Sequence, residues 1–254
     1  MLSPQAKILL ERLGAISHAG PMRAVGHGST AVGMTLLDAL GVEYTSTDKP
    51  RYMGIVVTAR RDLPATPRNR VNLFARVPDW LHSTCKSSAE IVDRYGYEAA
   101  PGVRKLYCTV RSQHPNSQGL LLAVNSQRRM LDEIAATETG NVHVASWSLE
   151  DLKRRLIATH PESMWVSANV VRRGDAEYFH YRKACYTGPP IAERFVTLLA
   201  EGTITVDHLI DKRHGHTKEK GPLFKIVPSN LPMLFPTSPT FDLLAVDPTV
   251  LATK

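Results

Sequence analysis

Apolar positions recur at helical spacing twice near the start of the chain, over residues 3–13 (Leu9, Leu10, Leu13) and 29–40 (Leu36, Leu37, Leu40). Ser3 and Pro4 suit the start of the first helix, and Gly41 suits the end of the second. Tyr52–Ala59 is a continuous apolar, β-branched run and reads as one buried strand. The polar stretch 60–70 carries arginines at 60, 61, 68 and 70 and reads as a solvated loop. Lys86–Tyr95 is helical in pattern, with Gly96 after it. Strands follow at Lys105–Val110 and Gly119–Val124, joined by the turn-rich SQHPNSQ.

In the second half, Val142–Ala145 reads as a short strand and Ser148 as the cap of a helix over Leu149–Ala158. Met164–Val171 and Tyr178–Tyr186 pattern as a hairpin turning at Arg172, Arg173, Gly174 and Asp175. Pro189 opens a helix over Ile191–Leu199 that stops at Gly202. Thr203–Ile210 and Leu223–Val227 read as strands separated by the loop DKRHGHTKEKG. The proline-rich tail after Pro228 is expected to lie irregularly over the surface. This order predicts an α/β (α+β) domain in which helices flank a mixed sheet.

Composition narrows the partners more than the fold. The chain of 254 residues has 43% hydrophobic and 22% charged residues, which is enough apolar material for one core or one core in two lobes. No apolar run is long enough to span a bilayer. The opening MLSPQAKILLERLGAI lacks the basic-then-apolar order of a signal peptide. Cys85, Cys108 and Cys185 are odd in number and widely spaced, which fits buried thiols in a reducing compartment. A formal charge of +7 and a pI near 9.4 favour a polyanionic partner.

Residues 28–61 read GSTAVGMTLLDALGVEYTSTDKPRYMGIVVTARR. This segment resembles the nuclease core of MvaI/BcnI-type restriction endonucleases and the related mismatch-repair nickase MutH, within the PD-(D/E)XK superfamily. There a helix with G-x-x-L-E-x-x-L-G precedes a strand with P-D-x-x-G-I-E-x-K. The likeness continues in order through NLFARVPDW (72–80), KSSAEIVDRYGY (86–97), KLYCTV (105–110) and SQGLLLAV (117–124). It resumes over residues 188–210 and KGPLFKIVPSNLPMLF (220–235). The resemblance implies one restriction-endonuclease-like domain over 1–254, with two lobes around a DNA cleft. We place their division near residue 125: a core lobe over 1–125 and a DNA-recognition lobe over 126–254.

In such a core two strand carboxylates, helped by one from the helix, hold Mg²⁺ on the scissile phosphate, and a strand lysine assists the attacking water. Here the matched helix acid is Leu37, the strand acids are Arg51 and Val56, and the lysine is Thr58. The scaffold residues Gly33, Leu36, Leu40, Gly41, Pro50, Gly54 and Ile55 are kept. A hydrocarbon side chain cannot ligate Mg²⁺. The expectation is therefore duplex DNA binding with no intact catalytic residue, no metal and no cofactor, and with Arg51 meeting phosphate directly.

Further DNA contacts are expected from Arg213, His214, His216, Lys218 and Lys220 in the basic loop, since Arg and His suit guanine edges and Lys suits phosphate. Lys86 and Ser87 could hold a phosphate at a helix start or act as a plain cap, and the arginines at 60, 61, 68 and 70 could face the DNA backbone, although solvation of their loop is the expected role. His214 and His216 lack a third ligand at zinc spacing. Trp80, Trp147 and Trp165 are expected in the core, and His82 and Cys85 are read as structural. The family context adds a prokaryotic, cytoplasmic, nucleoid-associated setting and an active nuclease or defence-system subunit as partner. Two alternatives stay open: a Mg²⁺-dependent endonuclease or nickase with a relocated acid drawn from Asp38, Glu43, Asp48 or Asp62, and a protein-interaction module without DNA binding.

Overall fold

The computed structural model describes residues 2–43, 51–63, 69–219 and 221–247. Among them the helices are α1 (Pro4–His18), α2 (Ala31–Leu40), α3 (Ser88–Tyr95), α4 (Leu149–Thr159), α5 (Ala192–Ala200) and α6 (Leu231–Leu234). The strands are β1 (Met22–Arg23), β2 (Arg51–Tyr52), β3 (Ile55–Arg61), β4 (Val71–Ala75), β5 (Tyr97–Ala100), β6 (Val103–Val110), β7 (Leu120–Asn125) and β8 (Met130–Thr137). They continue with β9 (Gly140–Ser148), β10 (Ser163–Arg173), β11 (Ala176–Thr187), β12 (Ile204–Arg213), β13 (His216–Glu219), β14 (Leu223–Ile226) and β15 (Phe241–Asp242).

The chain folds as two compact units, and neither is continuous in sequence. Unit 1 comprises Met1–Pro64, Thr159–Pro190 and Phe235–Lys254; unit 2 comprises Ala65–Ala158 and Ile191–Leu234. The expected division near residue 125 is corrected by this interleaving. Its cause is strand pairing: β3 runs parallel to β10, Val56 opposite Ser163 through Arg61 opposite Ala168, so the first 64 residues need a partner from the second half. A parallel pair requires a long crossover, and here unit 2 begins inside it.

Unit 1 is a mixed sheet in the order β1-β11-β10-β3-β2, with β15 also on β11. Ser3 caps α1 by accepting from the Ala6 amide, and Pro4 occupies the first turn. The helix buries Ala6, Leu9, Leu10, Leu13 and Ile16 at i, i+3, i+4 spacing. α2 ends at Gly41, whose φ of 67° is the left-handed conformation that favours glycine. Both helices join one apolar cluster with Ile55 and Val57 of β3 and Met164, Val166 and Ala168 of β10. Tyr181 donates its hydroxyl to the Val32 carbonyl at 2.8 Å from within this layer, and burial pushes its phenol pKa up.

Unit 2 holds an antiparallel sheet ordered β4-β14-β12-β6-β5, with β13 on β12, and a three-stranded sheet β7-β8-β9. Phe74, Phe195, Phe224 and Trp147 form its aromatic centre. His208 of β12 and Glu133 of β8 are both fully buried, with Nε2 3.0 Å from Oε1 and 3.1 Å from Oε2. A buried pair of this kind ties the two sheets at a fixed register.

Several sequence expectations are corrected. Tyr52–Ala59 is a hairpin, not one strand: β2 turns into β3 at Met53 and Gly54, with φ of 50° and 87°, as a two-residue turn with both central residues left-handed requires. The short strand at 142–145 is the middle of the longer β9, and β8 was not foreseen. The basic loop after β12 is ordered as the β12–β13 hairpin, turning at His214 and Gly215. The tail does not merely drape over the surface, because Leu231, Leu234, Phe235 and Leu243 are buried. Trp147 and Trp165 are buried as expected and Trp80 is half-buried. Cys85 is buried and Cys108 and Cys185 half-buried, all three as free thiols.

Candidate nucleic-acid interface

The matched catalytic positions lie in unit 1, but they do not all converge. Arg51 and Val56 sit directly opposite one another across the β2–β3 ladder, so their side chains share a face of the sheet. Alternation puts Thr58 and Arg60 on that face too, beside Ser163, Trp165 and Ser167 of β10. Leu37 is elsewhere: it packs in the apolar cluster with Ile55 and Val57, which point to the opposite face. Val56 is 0% exposed and Leu37 4%. Pro50 and Asp48 lie outside the described residues.

These side chains do not fit Mg²⁺, which takes oxygen ligands and ordinarily at least one carboxylate. Leu37 and Val56 offer no lone pair, Thr58 offers one neutral hydroxyl, and Arg51 carries the same sign of charge as the ion. Among the described residues, no three His, Cys, Asp or Glu side chains are grouped to hold a metal.

Arg60 lies on this face because β3 runs on to Arg61, where the sequence pattern predicts a solvated loop, and its side chain is half-buried. Burial lowers its pKa, and the neighbouring Asp62 carboxylate offsets this in part. A strand face reading Val56, Thr58, Arg60 was visible as period two in the sequence once the strand was extended. Arg61 points the other way: its guanidinium binds both oxygens of Glu177, at 2.7 and 3.3 Å, donates to the Gly28 carbonyl and stacks over Phe179. Asp62 pairs with Lys183 at 2.9 Å.

In unit 2, α3 covers one face of the sheet through Arg104, which donates to the carbonyls of Val92, Asp93 and Gly96, and through the Lys212–Asp93 ion pair. The opposite face carries the basic residues. Arg213 lies opposite His216, Asp211 opposite Lys218, and Lys105 opposite Asp211, so these side chains form adjacent rows. Tyr97 (42% exposed) and Tyr107 (47%) stand on the same face, with the Lys105 ammonium over the Tyr107 ring at 5.2 Å. Asp211 holds Arg213 through two hydrogen bonds of 3.0 and 3.3 Å; the Arg213 guanidinium in turn holds the Asp211 carboxyl below its usual range. His214 occupies the turn with φ 47°, and its ring lies near Gly102. Lys220 lies outside the described residues.

Lys86 and Ser87 have local roles. Lys86 Nζ donates to the carbonyls of Ser83, Trp80 and Leu81 at 2.6, 3.2 and 3.4 Å. Ser87 caps α3 by accepting from the Glu90 amide at 3.3 Å. His82 pairs with Asp79 at 2.8 Å. Arg70 is also not solvated; it joins Asp207, Thr109 and Thr205 in a half-buried network.

Comparison with known proteins first fixes the class. The fold is that of a restriction endonuclease: it matches the structure described as a restriction endonuclease MvaI–cognate DNA substrate complex with a TM-score of 0.80, at 19% identity over 94% of this chain and 99% of that one. The same enzyme in the absence of DNA matches with a TM-score of 0.55, at 16% identity over 94% and 98%. No curated protein sequence matches the chain. The sequence profile of the MvaI/BcnI restriction endonuclease family spans residues 10–235, and the chain belongs to that family. Among the described residues no helix is long and apolar enough to cross a membrane.

Proposed function

We propose that this chain binds double-stranded DNA without cutting it, as a pseudo-nuclease of its family. The observation that carries this reading is the triplet Arg51, Val56 and Thr58 on one face of the β2–β3 hairpin, with Arg60 continuing it. Where an active relative places a metal between carboxylate and phosphate, this chain offers guanidinium groups, which bind phosphate directly by charge-assisted hydrogen bonds. The second set of contacts is the exposed sheet face with Arg213, His216 and Lys218, joined by His214 at its turn, and Lys220 is expected to add a phosphate contact. A DNA-bound family relative supports the duplex as partner. We place the protein in the prokaryotic cytoplasm, beside an active nuclease or other defence-system subunit.

The test is binding to a mixed-sequence duplex with divalent ions chelated. Arg51→Asp is expected to weaken affinity at least about tenfold, the loss of one charge-assisted contact plus the repulsion that replaces it. Unchanged affinity would remove Arg51 from the interface. A second reading keeps enzymatic activity: Asp38 and Glu43 line one recess of about 340 Å³ with Leu37, one residue from the family's helix acid. Metal-dependent nicking abolished by Asp38→Ala would establish that reading and overturn the first.

A further inference from the structure

The pairing of β10 with β3 ends at Ala168 opposite Arg61, whereas the β10–β11 ladder runs on to Arg173 opposite Ala176. On the other side β1 leaves β11 at Tyr178, and the Ala24 amide adds one last bond, to the Glu177 carbonyl. The end of this hairpin is therefore a two-stranded ribbon. It closes on Gly174 and Asp175, and of the two only Gly174 takes positive φ, at 59°. Glycine first and an ordinary residue second is the type II′ turn, whose twist matches that of the strands. The ribbon tip is thus preorganised.

It carries ionic groups that nothing in the fold uses. Among the described residues, Arg172, Arg173 and Asp175 are exposed and make no hydrogen bond and no ion pair. Glu177, the acid opposite Arg172, is spent on Arg61 at 2.7 and 3.3 Å. Arg173 is positioned by Tyr178 instead, with its guanidinium carbon 5.0 Å from the ring centroid. Stacking orients the planar fork and leaves its N–H donors open. Side chains alternate along β10, so Arg173 shares the face of Ser167, the partner of Arg60, and Arg172 lies on the other.

Shape and charge together select the occupant. A two-stranded ribbon fits the major groove of B-DNA, about 12 Å wide, and not the minor groove, about 6 Å wide. Arg173 stands five residues past the last β3 pair, roughly 17 Å of strand, against a groove depth of about 8.5 Å. A tip built for phosphate alone would have no use for Asp175. A guanidinium and a carboxylate on one turn match a G·C pair, whose major-groove edge offers guanine O6 and N7 as acceptors and the cytosine N4 amino group as donor. We propose that the tip of the β10–β11 ribbon reads a G·C pair in the major groove, Arg173 donating to guanine O6 and N7 and Asp175 accepting from cytosine N4. This rests on the DNA-binding reading and gives it sequence preference; it adds a base contact and no phosphate contact.

The experiment measures affinity for one plasmid fragment amplified in three forms: with guanine, with 7-deazaguanine, which lacks the N7 acceptor, or with hypoxanthine, which lacks the minor-groove amino group. The wild-type chain is expected to bind the 7-deazaguanine form about tenfold more weakly, the loss of one bidentate contact, and the hypoxanthine form as well as the first. Arg173→Lys keeps the charge without the fork, and should bind the guanine and 7-deazaguanine forms alike. Arg172→Ala should retain the tenfold preference. Asp175→Ala should weaken binding, whereas removing an acid from a tip that meets only phosphate would tighten it. All three side chains are exposed, so these variants should fold as the wild type does. Equal wild-type affinity for the guanine and 7-deazaguanine forms would overturn the proposal while leaving DNA binding intact. A preference that survives Arg173→Lys would hand the guanine contact to another residue and also overturn it, as would a loss seen only with hypoxanthine or tighter binding by Asp175→Ala. A wild-type chain with no affinity for any form would bring down the DNA-binding reading itself, and the ribbon's role with it.

Discussion

Raising salt from about 50 to 200 mM is expected to weaken duplex binding about 500-fold, with little further change on adding a chelator. The figure follows from five cationic side chains, Arg51, Arg60, Arg213, Lys218 and Lys220, each releasing about 0.9 of a counterion from B-DNA. A slope near −4.5 in log affinity against log salt, over a fourfold change in salt, gives that factor. Plasmid incubated with the protein and Mg²⁺ or Mn²⁺ should stay supercoiled. A shallow slope would mean that few phosphates are contacted and would favour a protein-interaction module. Affinity that vanishes on chelation would mean a metal sits at the interface, and direct contact of Arg51 with phosphate would be excluded.

The second large effect concerns stability. His208→Ala is expected to destabilise unit 2 by about 3–5 kcal/mol, because it leaves the Glu133 carboxylate buried without its partner. Against a total of about 5–15 kcal/mol for an ordinary domain, that loss is enough to unfold it near 37 °C. The pair also predicts a direction with pH. Burial alone lowers the pKa of His208, but Glu133, Glu219 and Asp207 together more than reverse this, so the folded value lies above the ordinary 6.5. A raised folded pKa stabilises fully below pH 6.5 and loses that contribution as pH rises through the folded value. Melting temperature should therefore fall on the alkaline side, and His208→Gln should flatten that limb. A melting profile indifferent to His208 would show that the contact is incidental. Among the described residues His208 Nδ1 has no hydrogen-bond partner, so Glu133 holds the ring through Nε2.

What could be read from the sequence was mostly local. Ser3 and Pro4, Gly41, Ser148 and the Gly174–Asp175 turn each fix a backbone conformation through their own chemistry, and the elements they bound were foreseen. The Met53–Gly54 turn was missed because methionine rarely takes positive φ, and an unbroken apolar run hid the one glycine that marked it. β8 was missed for a different reason: Asp132 and Glu133 are buried, so its pattern lacks the expected polar-out alternation. Their partners Ser146 and His208 come from other strands, and no local pattern shows them.

The same contrast holds for the site. Arg51, Val56 and Thr58 could be placed by likeness to a motif, and the hairpin does bring Arg51 and Val56 face to face. Leu37 joined them by motif alone; in the structure its layer is the apolar one. Arg70 was lost to the loop reading because its acceptor, Asp207, lies far along the chain.

The interleaving of the two units has a consequence for how the chain is made. β3 emerges from the ribosome with its edge unpaired, and its parallel neighbour β10 is more than a hundred residues behind it. Throughout that interval the newborn N-terminal segment holds Ile55 and Val57 on a half-finished sheet, which is the state most open to aggregation. Truncated chains ending before about residue 175 should therefore need a chaperone to stay in solution.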